Sequence, residues 1–341
     1  MISFENDYVE GAHPKILQRL IDTNTEQVTG YCRDPYCESA RKRIREACHC
    51  PWADVFFLVG GTQTNKVVID AMLKIYEGVV SADSGHINMH ESGAVEATGR
   101  KVIPLNQYAG KIRAAELQAY LERFYGDVSY EHMVFPGMVY ISQPTEYGTL
   151  YSLKELKEIH EICKKWKIPL FIDGARLIYG LASPGADFNL ADIAKYCDVF
   201  YIGGTKAGAF CGEAVVFPAH NTPKHFVSMA KRQGALLAKG RLLGVQFDAL
   251  FSDELYMEIG KHAIDRAEQM KKIFREKGYH FFVDSPTNQQ FLLVENTTME
   301  TLMQKVRFSI WEKPDSEHTV IRFVTSWATT EHQVEKLKDL L

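Results

Sequence analysis

Lys206 and Asp173 are the residues whose types and settings point most directly to chemistry. Lys206 follows an apolar run, Val199 to Ile202, and the short segment Gly203-Gly204-Thr205. The run reads as a buried strand. The glycines let the chain leave it tightly and let a bulky group approach the backbone. An amine at such a strand end is partly stripped of water, which lowers its pKa and makes it a nucleophile toward carbonyls; the alternative is a solvated lysine in a loop. Asp173 closes a second apolar run, Ile168 to Asp173, ahead of Gly174-Ala175-Arg176. It reads as a helix cap or turn former, or as a carboxylate facing a ligand, because open α/β sheets bind ligands at the ends of their parallel strands.

An aspartate and a lysine on separate strand ends, about thirty residues apart, suit pyridoxal 5'-phosphate. The lysine would bond to the cofactor's aldehyde. The aspartate would pair with the ring nitrogen and keep it protonated, so that the ring acts as an electron sink. A third strand, Val55 to Val59, runs into Gly60-Gly61-Thr62-Gln63-Thr64-Asn65 and then a helix with Val67, Val68, Ala71, Met72 and Ile75 on one face. A glycine loop there offers free N–H groups and a helix dipole to a phosphate, or is an ordinary tight turn. It matches neither the dinucleotide nor the nucleoside-triphosphate fingerprint.

His86 and His90 lie four apart ahead of Glu91. They could share a helix face as a metal pair. The preferred reading makes His86 a plate stacked on the cofactor ring with Glu91 nearby, and His90 structural. Arg322 sits in an apolar strand, Thr319 to Thr325. A buried arginine needs a carboxylate, supplied either by an internal salt bridge or by a substrate α-carboxylate matching its planar fork. The basic, glycine-containing segment Lys231 to Arg241 reads as a solvated loop or as a source of a cation for a phosphate across a dimer interface.

The elements that must position these groups alternate. Strand signals at 79–81, 102–105, 138–142 and 214–217 join those at 55–59, 168–173 and 199–202. Helices intervene, notably one opened by the capping box Ser152-Leu153-Lys154-Glu155. Alternation implies a mostly parallel sheet with right-handed crossovers. From about residue 248 the pattern changes to a long helix, three strands and a closing helix, which gives an expected division into residues 1–247 and a smaller α+β unit, 248–341. The polar, aromatic stretch Thr23 to Pro35, with Tyr31, reads as a loop crossing to a partner subunit.

With 341 residues and a net charge of −4, the chain has room for a sizeable core and gives no reason to expect nucleic acid or an anionic membrane as a partner. No apolar run approaches the roughly 18 residues of a membrane span, and no signal peptide is apparent. Seven scattered cysteines fit a reducing cytoplasm. Cys48-His49-Cys50 lacks the second cluster that a zinc site requires, so no metal is expected.

Taken together, Gly61 to Asn65, His86 with Glu91, Asp173-Gly174-Ala175-Arg176, Thr205-Lys206 and Ile321 to Thr325, in this order and spacing, resemble the threonine aldolase branch of the β-eliminating lyases, over nearly the whole chain. The resemblance implies a fold-type I pyridoxal-phosphate enzyme, aspartate-aminotransferase-like, forming homodimers or homotetramers with shared active sites. It implies cofactor contacts from Lys206, Asp173, His86, Gly61, Thr62, Thr205 and Arg176. Arg176 and Arg322 would hold the carboxylate of an amino acid substrate, and Tyr31 would reach the neighbouring site. Asn6 replaces a family serine at the substrate carboxylate, and Glu146 replaces a histidine implicated in handling the β-hydroxyl proton. The implied reaction is cleavage of the Cα–Cβ bond of a β-hydroxy-L-amino acid, L-threonine or L-allo-threonine, to glycine and an aldehyde. β-Elimination to pyruvate and ammonia, and a non-catalytic cofactor-binding regulator, are the alternatives.

Overall fold

The computed structural model describes residues 1–341. The strands are β1 (Ile2–Ser3), β2 (Asp54–Leu58), β3 (Glu77–Ala82), β4 (Lys101–Leu105), β5 (Phe135–Ser142), β6 (Leu170–Asp173), β7 (Val199–Gly203), β8 (Glu213–Phe217), β9 (His280–Val283), β10 (Gln289–Glu295), β11 (Val306–Arg307), β12 (Ser309–Glu312) and β13 (His318–Val324). Seven form one sheet in the order β2-β8-β7-β6-β5-β3-β4. Neighbours from β7 to β4 run parallel, whereas β8 is antiparallel to both β7 and β2. The central strands of this sheet are buried on both faces, β7 apolar along its length and β6 apolar up to Asp173 at its end.

One face packs on a large cluster that includes Ile141, Ile172, Phe200 and Ile202. The other packs on a cluster with Tyr140, Phe171, Tyr201 and the inner face of the helix Gly61–Met72. Adjacent strands place Ser142 beside Asp173 across β5 and β6. β7 continues the register from Phe171–Val199 and Ile172–Phe200, so Tyr201 follows beside Asp173. The C-terminal strands form a four-stranded antiparallel sheet, β12-β13-β10-β9, with its own core around Phe274, Leu292 and Phe323. The N-terminus belongs to this unit too: β1 pairs with β11, and Phe4 is buried in the same core. A continuous helix, Arg241–Leu250, spans the expected boundary at 247/248.

Two local expectations are corrected. Thr62 to Asn65 are not a loop: the helix begins at Gly61, because Gly60, extended at φ −167°, ends the strand and leaves the next residues free to turn. The same helix stops at Met72, and Ile75 is exposed rather than on its buried face.

Candidate active site

The strand ends of β5, β6, β7 and β8 and the first turn of the helix Gly61–Met72 open on one cavity of about 340 Å³. Its lining includes Tyr8, Gly60, Gly61, Thr62, His86, Ser142, Glu146, Asp173, Arg176, Tyr201, Thr205, Lys206 and Glu213. Six expected residues from distant parts of the sequence, His86, Glu146, Asp173, Arg176, Thr205 and Lys206, thus converge, together with the glycine turn. Close approach of β6 and β7 makes the convergence possible: a Cβ on Gly174 would collide with the Tyr201 carbonyl oxygen, and one on Gly203 with that of Ala175.

Lys206 lies in a single tight turn, Thr205–Ala207, closed by Gly208 at φ +84°. Its backbone carbonyl accepts from Tyr179 Oη at 2.5 Å. Burial, with the Arg176 guanidinium close by, brings its amine down to about 8. This is the desolvated amine that the sequence called for. Glu213, at the start of β8, was not expected. Its carboxylate accepts from Thr205 Oγ1 at 2.9 Å and from the Gly204 amide at 3.2 Å, and burial pushes it up. An acid in an otherwise apolar strand gives no sequence signal of what it faces.

Asp173 is buried and accepts four hydrogen bonds. Tyr201 Oη (2.5 Å) and the Ala175 amide (2.9 Å) donate to Oδ1; Tyr140 Oη (2.5 Å) and Asn65 Nδ2 (3.0 Å) donate to Oδ2. Burial alone would raise its pKa, but His86 and the donors hold it below the usual carboxylate range. Asn65 also donates to Glu91 Oε1 at 2.7 Å, and the same oxygen meets His86 Nδ1 at 2.8 Å. Glu91, with no exposed side-chain surface, thus fixes the His86 ring by one nitrogen and leaves Nε2 for the cavity. Glu146 accepts from Ser142 Oγ (2.6 Å) and from the His86 amide (2.9 Å), both on Oε1. Burial raises its pKa, which suits a proton acceptor working near neutrality.

Arg176 is placed differently from the expectation. Its guanidinium is committed to Asp7 by two parallel hydrogen bonds, Nε–Oδ2 at 2.8 Å and Nη2–Oδ1 at 2.9 Å, and Asn288 Nδ2 completes the Asp7 carboxylate at 3.0 Å. Burial pushes Asp7 up, but Arg176 and Lys206 outweigh it and hold it low. Asp7, not Asn6, is therefore the N-terminal residue tied to the site. Asn6 turns its carbonyl oxygen to the Tyr8 amide and does not line the cavity. Removing one partner of such a buried pair leaves an uncompensated charge. Asp7→Ala is expected to lower the unfolding free energy by about 3–5 kcal/mol, read from urea denaturation.

Arg322 has no carboxylate partner. It donates to Gln289 Oε1 (3.0 Å) and Ser309 Oγ (3.3 Å) and lies over the Trp311 ring at 4.8 Å, while its Nε is buried and unpaired. Burial lowers its pKa to about 10. The internal salt bridge is thus absent and the anion-binding alternative stands. Arg322 is outside the cavity lining itself. Tyr31 is also away from this chain's cavity: it is half exposed, at φ +58°, with Lys231 Nζ 4.7 Å from its ring. Arg241 is occupied by the Thr23 and Glu26 carbonyls.

The residues fit pyridoxal phosphate. The first amides of the helix, at Gly61 and Thr62, have no acceptor within the helix, and both residues line a cavity that also holds an amine free of any ion pair and a buried, ionised carboxylate. Buried polar atoms of Thr64, Asn65 and Glu91 lack partners.

Solved structures with this architecture include the aspartate aminotransferase of Thermus thermophilus (TM-score 0.72, 13% identity, 100% of this chain and 90% of that one). The fold is that of the fold-type I pyridoxal-phosphate enzymes. A family model described as beta-eliminating lyase matches residues 6–297. A structure of Leishmania major threonine aldolase is 40% identical, covers 100% of this chain and 98% of that one, and superposes with a TM-score of 0.96. The low specificity L-threonine aldolase of Pseudomonas sp. (strain NCIMB 10558) is 27% identical over 98% of this chain and 95% of that protein. The chain belongs to the beta-eliminating lyase family, a family of pyridoxal-phosphate-dependent lyases.

Proposed function

We propose that this protein cleaves the Cα–Cβ bond of a β-hydroxy-L-amino acid, L-threonine or L-allo-threonine, to glycine and an aldehyde. The observation that carries the reading is Glu146: a buried carboxylate with a raised pKa, anchored by Ser142 and the His86 amide, on the His86 side of the cavity that holds Lys206. Relatives whose names describe threonine aldolases support it.

Lys206 would hold the cofactor covalently and Asp173 would face its ring nitrogen. His86 would lie against the ring, and Gly61, Thr62 and Thr205 would meet its phosphate. When bound, the cofactor supplies an aldehyde for the substrate amine and an electron sink for the bond that breaks. Arg322, a buried guanidinium without an anion, holds the substrate carboxylate and so orients the Cα–Cβ bond. Arg176, held by Asp7, adds positive charge beside it. Glu146 accepts the proton from the β-hydroxyl as the bond breaks, and His86 Nε2 stands beside that path.

Glu146→Gln is expected to lower the turnover of acetaldehyde release from L-threonine by about 10²–10⁴-fold, with the visible cofactor band unchanged. If pyruvate rather than acetaldehyde comes from β-substituted amino acids, and none of this loss is seen, elimination is the reaction.

The Lys206 amine supports a pH test. Only its neutral form attacks the cofactor aldehyde, so uptake by the apoprotein should accelerate roughly tenfold per pH unit up to about 8 and then level off. A rise continuing to the ordinary lysine range would show an unperturbed amine. We further propose a homodimer or homotetramer with shared sites, with Tyr31, half exposed and outside its own cavity, as the crossing residue. A cytoplasmic location fits the seven free cysteines; no helix is long and apolar enough to cross a membrane. The division into units 1–247 and 248–341 is likewise proposed, with β1 exchanged into the smaller one.

A further inference from the structure

We infer that Tyr140 and Tyr201 are positioning residues that fix the Asp173 carboxylate as an anion and thereby keep the cofactor's ring nitrogen protonated; the inference rests on the cofactor reading above. The two phenols come from β5 and β7, the strands on either side of Asp173 in β6, and each donates to a different carboxylate oxygen at 2.5 Å. Both side chains are almost wholly buried, as is Asn65, which donates beside Tyr140. Asp173 forms no ion pair with a lysine or arginine. A buried carboxylate without a lysine or arginine partner would ordinarily take up a proton, and here His86 and the hydrogen-bond donors oppose that.

Tyr140 and Asn65 donate to one oxygen of this carboxylate, and Tyr201 and the Ala175 amide to the other. Each hydrogen bond to the anion lowers its affinity for a proton, and an O–H donor to a carboxylate makes a short, strong bond. A ring nitrogen sharing a proton with such a carboxylate retains that proton. Removing the phenols makes the oxygen more basic, and the shared proton moves from nitrogen toward oxygen. A protonated ring is the better electron sink, so the effect reaches the chemistry through Asp173, without either tyrosine taking part in a proton transfer. Tyr140 has a second link: its Oη lies 3.4 Å from Ser142 Oγ, the donor to Glu146.

The test is nitrogen-15 NMR of the protein loaded with ring-labelled pyridoxal phosphate, in wild type, Tyr140→Phe, Tyr201→Phe and the double variant. The wild-type resonance is expected at the position of a protonated ring. Each single variant should move it toward the unprotonated position, and the double variant further. A resonance identical in all four proteins, or an unprotonated ring in wild type, would overturn the inference while leaving the cofactor assignment intact. Failure of wild type to take up the cofactor, seen as no visible band, would remove the reading on which the inference rests. A purely packing role would change thermal stability and leave the resonance in place. If the double variant does not fold, the two single variants decide the matter by the same shift.

Discussion

Lys206→Ala abolishes the visible absorbance band of the loaded protein and lowers acetaldehyde release by on the order of 10⁶-fold, the lower end of enzymatic rate enhancements. The size follows from what the lysine alone can do. Its amine is the one lysine amine lining the cavity, and Arg176, the neighbouring cation, is locked to Asp7 and stays protonated. No second amine can substitute. Added cofactor should still bind non-covalently, because Asp173, His86 and the helix amides remain. The check is equilibrium dialysis of the cofactor alongside the aldehyde assay. A variant that kept the band would place the covalent link elsewhere and refute the assignment.

Asp173→Asn is expected to lower turnover by about 10²–10⁴-fold, in the range seen when a preorganised charge or donor is removed from an active site. The isosteric amide fills the same space but carries no charge to stabilise a protonated ring. It also replaces an acceptor by an –NH2 group facing donors. Either Tyr140 and Asn65, or Tyr201 and the Ala175 amide, would then face the –NH2 group without an acceptor on Asp173, each costing about 1–3 kcal/mol. The variant should therefore lose both turnover and thermal stability. Tyr201→Phe, which removes one donor and keeps the carboxyl group, should lose far less of each. Thermal melts and steady-state kinetics on the two variants separate the charge from the network.

Much of this arrangement was legible in the sequence, for a physical reason. Parallel strands buried on both faces are written as continuous apolar runs, so an aspartate or lysine at the end of one stands out against its background. That is how Asp173, Lys206 and Arg322 are found, and alternation of strand and helix gives the sheet. The tyrosines around Asp173 were not legible, because a phenol inside an apolar run looks like packing until the strand register brings its hydroxyl to a carboxylate. Glu213 was missed because its partners, Thr205 and the Gly204 amide, lie across a strand reversal. Asp7 was passed over for Asn6 because the choice depends on which side chain the extended N-terminal segment turns inward. Gly61 to Asn65 read as loop because glycine and threonine are poor helix formers; packing against the sheet overrides that preference.

The N-terminal strap also bears on how the molecule is assembled. Ile2 and Ser3 pair with Val306 and Arg307, the Phe4 backbone bonds to Arg307 and Val324, and Asp7 meets Arg176 and Asn288. This segment therefore waits for partners roughly 300 residues further along before it can pair. Such long loop closures come late, after the entropy of the intervening chain has been overcome. On a ribosome, the large sheet can form while the opening segment is still unattached. Arg176 then stays without its carboxylate until translation has passed Asn288, and the charge balance around Lys206 is completed only when the final strands emerge.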